Sequence, residues 1–87
     1  MIKHNSYFDG SVQSLGYQAE GRNATVGVME PGVHDFGQAS IPEVITVISG
    51  RVEAKGKSYD KGGVFGFEPG DRIVFDVKET LAYLCQY

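Results

Sequence analysis

Glycine and proline divide this chain so finely that, before residue 71, no interval free of both exceeds nine residues. A helix of ordinary length, about 11–12 residues, has no room there: glycine forfeits backbone entropy in a helix, and proline removes a donor and clashes with the preceding turn. Val, Ile, Thr, Tyr and Phe number 28 against 10 for Ala, Leu and Met, the bias of a pleated, half-buried surface. Residues 71–87 escape the punctuation, but Ile73-Val74-Phe75-Asp76-Val77 alternates with the period of a strand. The chain therefore predicts an all-β fold.

Alternation places strands at about Ser11–Tyr17, Arg22–Met29, Val33–Phe36, Val44–Ser49, Arg51–Lys55, Lys57–Asp60, Val64–Phe67, Ile73–Val77 and Leu81–Gln86. Gly50 is expected to divide two strands at a tight turn, and Gly56 to centre a Lys-Gly-Lys hairpin tip. Glu-Pro-Gly occurs at Glu30–Gly32 and again at Glu68–Gly70, and proline followed by glycine favours a type II turn. Many short strands so punctuated make a sandwich or a small barrel.

At 87 residues the chain has room for one domain, residues 1–87, which buries only roughly 60–65% of its unfolded surface. Such a fold usually needs a disulfide, a metal or a second subunit. Cys85 is the single cysteine, so neither an intrachain bridge nor a paired-cysteine zinc site can form, and a lone thiol suits a reducing cytoplasm. A second copy of the chain is the expected partner. A net charge of −3 without a basic run argues against nucleic acid, and no apolar stretch approaches the roughly 20 residues of a membrane helix or forms a signal-peptide core.

The spacing Glu43-x6-Gly50 followed by Gly63-x5-Pro69-Gly70 resembles the two signature halves of a cupin, a jelly-roll barrel (RmlC-like double-stranded β-helix). The histidines of the usual metal site are incomplete: Gly27-x6-His34-x-Phe36 lacks the second, Asp71–Lys78 lacks the third, and the whole chain holds only His4 and His34. A mixed site of His34, Glu43 and Asp76 remains chemically conceivable. Five further segments, Asn5–Phe8, Gly21–Met29, Thr46–Gly50, Gly63–Phe65 and Tyr83–Tyr87, are similar to the small bacterial pyrimidine/purine nucleoside phosphorylase family. That resemblance implies a metal-free, cofactor-free cupin, commonly a homodimer, that cleaves diverse nucleosides with inorganic phosphate as co-substrate.

Phosphorolysis needs a cation or N–H donors for phosphate, an acceptor for the ribose hydroxyls and the developing sugar cation, and a surface for the base. Arg22 lies within the Gly-Arg-x-x-x-Val-Gly-Val-Met match, and its guanidinium suits an oxyanion; its alternative is a solvated strand end. Glu43 keeps the cupin spacing and is expected to face the pocket, the alternative being an exposed turn after Pro42. Phe36, Phe67, Tyr83 and Tyr87 are the stacking candidates, each also fit for the core. His34 could bond ribose or protonate the base, or be a partly exposed strand histidine. His4 is expected in a mobile terminus, and Tyr7 and Phe8 at a dimer contact or over the barrel end. A non-catalytic cupin binding a sugar or nucleotide is the competing function.

Overall fold

A computed structural model describes all residues, Met1–Tyr87. It is all β, with eight strands: β1 (Lys3–Tyr7), β2 (Val12–Ala19), β3 (Arg22–Met29), β4 (Gly32–Gln38), β5 (Glu43–Ala54), β6 (Lys57–Tyr59), β7 (Val64–Phe67) and β8 (Arg72–Gln86). Every pairing is antiparallel. The sheet runs β1-β2-β3-β8-β5-β6, with β4 also on β8 and β7 also on β5, and it curls into a body of 31 × 25 × 24 Å.

Two long strands organise the barrel. The first half of β8 pairs with β4 and the second half with β3, while β5 runs along nearly all of β8. The inward residues of β8 are Ile73, Phe75, Val77, Leu81, Tyr83 and Cys85, and those of β5 include Ile45, Val47, Val52 and Ala54, all buried. With Phe65 and Phe67 from β7 they form one core.

Turn chemistry explains the tight connections. Glu20 and Gly21 both have positive φ (55° and 76°), as do Lys55 and Gly56 (53° and 76°), so β2–β3 and β5–β6 close through two-residue turns whose twist matches the strands. At Glu68-Pro69-Gly70, Gly70 has φ 93° and the Asp71 amide donates to the Glu68 carbonyl at 3.0 Å, the expected type II turn. At Glu30-Pro31-Gly32 it is the His34 ring, at 2.8 Å, that meets the Glu30 carbonyl.

Three expectations are corrected. Gly50 does not separate two strands: it has φ 91° inside the continuous β5, where the register against β8 shifts between Val47 and Val52. A side chain there would collide with the Thr80 carbonyl, so this glycine serves a bulge and not a hairpin. Likewise β8 is one strand from Arg72 to Gln86. Finally, His4 lies in an ordered strand, β1, facing Leu15 of β2, with Nε2 3.1 Å from Gln13 Oε1. The polar run Lys-His-Asn-Ser-Tyr carries no apolar alternation because β1 is an edge strand with one neighbour.

Candidate active site

The barrel encloses a cavity of about 820 Å³, within the range of small-molecule sites. The pairing brings successive strands to it in rows, because registered neighbours share a face. One row is Asn5, Ser14, Gly27, Tyr83 and Val47; the next is Lys3, Gly16, Thr25, Cys85 and Ile45. Glu43 opens β5 beside them, and Phe36 and Phe75 supply aromatic wall.

The first row sets polar side chains side by side. Asn5 Nδ2 donates to Ser14 Oγ at 3.3 Å, and the Tyr83 hydroxyl sits beside Ser14 across Gly27. Burial pushes the Tyr83 phenol up to about 12, so it stays a donor at neutral pH. The approach depends on Gly27: a Cβ there would lie 2.6 Å from the Gln13 carbonyl and 2.8 Å from the Tyr83 hydroxyl. Here the glycine is required by space and not by φ.

The second cluster gathers around the carboxylate. Cys85 Sγ donates to Glu43 Oε1 at 3.4 Å, with Thr25 opposite the thiol in register and Tyr87 two residues on, both lining the cavity. Burial raises Glu43 above the usual carboxylate range, with the thiol bond opposing it. Burial likewise lifts Cys85 to about 12 and raises Tyr87. Cys85 is therefore a neutral donor and not a nucleophile.

Of the residues named from sequence, Glu43, Tyr83, Tyr87 and Phe36 line this cavity. Phe36 packs edge-on against Phe75, Tyr7 and Phe8 at 5.8, 5.6 and 5.2 Å. The structure does not bring Arg22, His34 or Phe67 to it. Arg22 is exposed opposite Ala19 at the β2–β3 tip. Phe67 is 1% exposed within the core. His34, 5% exposed, packs at 5.5 Å against Phe8, and its Nε2 carries the proton it gives to the Glu30 carbonyl. It is a buried corner clamp, not the partly exposed histidine the alternative reading supposed.

Sequence reasoning missed Lys3, Asn5, Ser14, Thr25 and Cys85 as site residues. Tyr83-x-Cys85-x-Tyr87 did carry a signal, three polar-capable side chains at a period of two. The others depend on β1 and on register. As to the metal usual in cupins, the residues do not fit one: no three His, Cys, Asp or Glu side chains come together, His34 is committed to a carbonyl, and Asp76 pairs with Lys78 at 3.0 Å.

Comparison with known proteins agrees with this architecture. A family profile described as pyrimidine/purine nucleoside phosphorylase matches residues 2–87. A protein of that name from Vibrio parahaemolyticus is 41% identical, the match covering 99% of this chain and 97% of that one. One from Sorangium cellulosum is 38% identical, covering 100% and 99%. Among solved structures, a Vibrio parahaemolyticus protein of unknown function superposes with a TM-score of 0.90 at 41% identity, over 100% of this chain and 98% of that one. An RmlC-like cupin protein from Ralstonia eutropha reaches 0.75 at 10% identity over 98% of this chain and 62% of its own, a likeness of fold alone, and the barrel is a cupin barrel.

Proposed function

The chain belongs to the pyrimidine/purine nucleoside phosphorylase family, and from that premise we propose that its cavity cleaves purine and pyrimidine nucleosides with inorganic phosphate. A phosphate oxygen forms a bond to the anomeric carbon as the glycosidic C–N bond breaks. The electron pair leaves with the base, which takes up a proton from solvent or a nearby donor; the products are ribose 1-phosphate and free base. The observation that carries this reading is a cavity of about 820 Å³ in which one carboxylate, Glu43, stands among hydroxyl donors and aromatic faces.

In this reading ionised Glu43 accepts the ribose hydroxyls and offsets the positive charge that grows on the sugar. Tyr83 donates its phenol proton to substrate. Phe36 and Tyr7 offer aromatic surface without edge-reading amides, which suits varied bases. No residue needs to become covalently attached. The test is incubation of purified protein with inosine and with uridine, with and without phosphate. Base release that requires phosphate supports the reading; tight nucleoside binding without release would assign the fold to a binding role instead.

We also assign the second copy of the chain to the outer sheet face. Leu15, Val26, Leu84, Thr46 and Val64 align across five strands, and Leu15, Val26, Val28, Val44, Ile48 and Val64 are each 37–56% exposed. Exposed apolar side chains aligned in this way mark an association surface, and a stable interface takes about 800 Å² per partner once its rim is counted. No charged side chain interrupts the row, so two copies can meet across it without burying like charges. Val26→Glu is expected to turn a dimer into a monomer by sedimentation; an unchanged mass would remove this face. A dimer of this kind, working with a reduced Cys85, fits a cytoplasmic setting.

A further inference from the structure

Resting on the phosphorolysis reading, we infer that the phosphate subsite is built by Lys3 and Asn5 of β1, and not by Arg22.

Four observations converge on β1. Its period of two places Lys3, Asn5 and Tyr7 together along the cavity, and Lys3 is the one lysine or arginine side chain among the residues lining it. Its charge is uncommitted, since the three ion pairs of the molecule use Lys55, Arg72 and Lys78. Asn5 spends one N–H on Ser14 and keeps a second for an oxyanion, because a side-chain amide has two. Between Lys3 and Thr25 the row holds Gly16, which has no side chain. A Cβ there would just touch Asn5 Nδ2 and Lys3 Cβ, at 3.7 and 3.8 Å, so its absence leaves bare backbone beside both groups.

Charge placement then follows from strand order. Lys3 on β1 and Glu43 on β5 are separated by β2, β3 and β8, four strand steps of about 4.8 Å along the curled sheet, yet both line one cavity. They form no ion pair with each other. The lysine wall receives an anion and the carboxylate wall receives a group that becomes cationic, which is the separation needed when a phosphate dianion attacks an oxocarbenium-like sugar. Arg22, exposed at a hairpin tip outside the lining, offers no such opposition.

The experiment measures phosphorolysis by the full chain against phosphate concentration for Lys3→Ala, Lys3→Arg, Asn5→Ala, Arg22→Ala and the distant control Arg51→Ala. In parallel, stabilisation of each protein by inorganic phosphate is read from its melting temperature. Lys3→Ala is expected to raise the half-saturating phosphate concentration about tenfold with a small change for nucleoside, Asn5→Ala about threefold, and Lys3→Arg to recover most of the loss. Arg51→Ala stays near wild type. If Arg22→Ala gives the loss and Lys3→Ala does not, the assignment is overturned. If the wild-type chain turns over no nucleoside, the phosphorolysis reading fails by itself. The anion site then stands if phosphate raises the melting temperature of the wild type but not of Lys3→Ala, and falls if both respond alike.

Discussion

The two halves of β8 have the same alternation and opposite surroundings. Ile73, Phe75 and Val77 turn inward in the first half, and Leu81, Tyr83 and Cys85 in the second, all six buried. Around the first half the inward neighbours are Val52, Ala54, Phe65 and Phe67, with His34 of β4, opposite Phe75, the one polar side chain and already bonded to the Glu30 carbonyl. Around the second they are Ser14, Thr25 and Glu43, in register with or beside Tyr83 and Cys85, and the Cys85 thiol donates to the carboxylate. The first half lends the cavity only apolar wall, through Ile73 and Phe75, and closes into core beyond it, while the second half carries the cavity's polar side chains. A period of two fixes which side chains point in, but only the neighbouring strands decide whether they meet carbon or an acceptor. The dry half supplies stability by burial, while the wet half accepts the cost of a buried carboxylate.

Substitutions can break or sharpen that division. The largest effect is expected at the bulge where β5 passes from the wet half to the dry. Gly50→Ala puts a Cβ against the Thr80 carbonyl at a φ of 91° and should abolish the fold, a loss above about 4 kcal/mol, read as missing soluble protein or a lost thermal transition. Gly27→Ala is next. Its Cβ would crowd the Tyr83 hydroxyl and Ser14, costing about 3 kcal/mol by overpacking, with turnover falling further than stability explains.

Val52→Ala, in the dry half at 0% exposure, is expected to lose about 2 kcal/mol, a fall in melting temperature of roughly 8–16 °C. The activity of the folded fraction should be kept. Were that activity to collapse as in Gly27→Ala, the two halves would not be separate.

The smallest stability effect has the opposite sign. Burial holds the folded-state pKa of Glu43 above its unfolded value, so the stability tied to this group is full at acid pH and lost as pH rises through the raised pKa. Glu43→Gln keeps an acceptor for Cys85 and removes that loss. Its melting temperature should match wild type in acid and exceed it by a few degrees at neutral pH, while turnover falls at least about tenfold. A variant that gains no stability, or keeps full activity, would return Glu43 to a structural role.

The barrel was legible because glycine spacing and β-branched content exclude helix locally, residue by residue, and because Arg22–Met29 and Val64–Phe67 carry clear strand patterns. Gly50 misled because glycine marks a turn and a bulge alike; only the Thr80 carbonyl against it tells them apart. Glu43 and Tyr83 were visible as candidates through their spacing. Arg22 looked like the phosphate ligand because guanidinium chemistry is right, whereas its position depends on a two-residue turn that places it outside the cavity. Lys3 was invisible, and Asn5 stood out only as the start of a matched segment: an edge strand needs no apolar face, so β1 shows no strand pattern until β2 pairs with it.

The central claim is that the wet half of this barrel performs phosphorolysis. The most direct test follows inosine and uridine with the purified chain while phosphate is varied, quantifying free base and ribose 1-phosphate together. The expected result is equal amounts of the two products, formed only when phosphate is present. Base released without phosphate, or no base released at all, would contradict it.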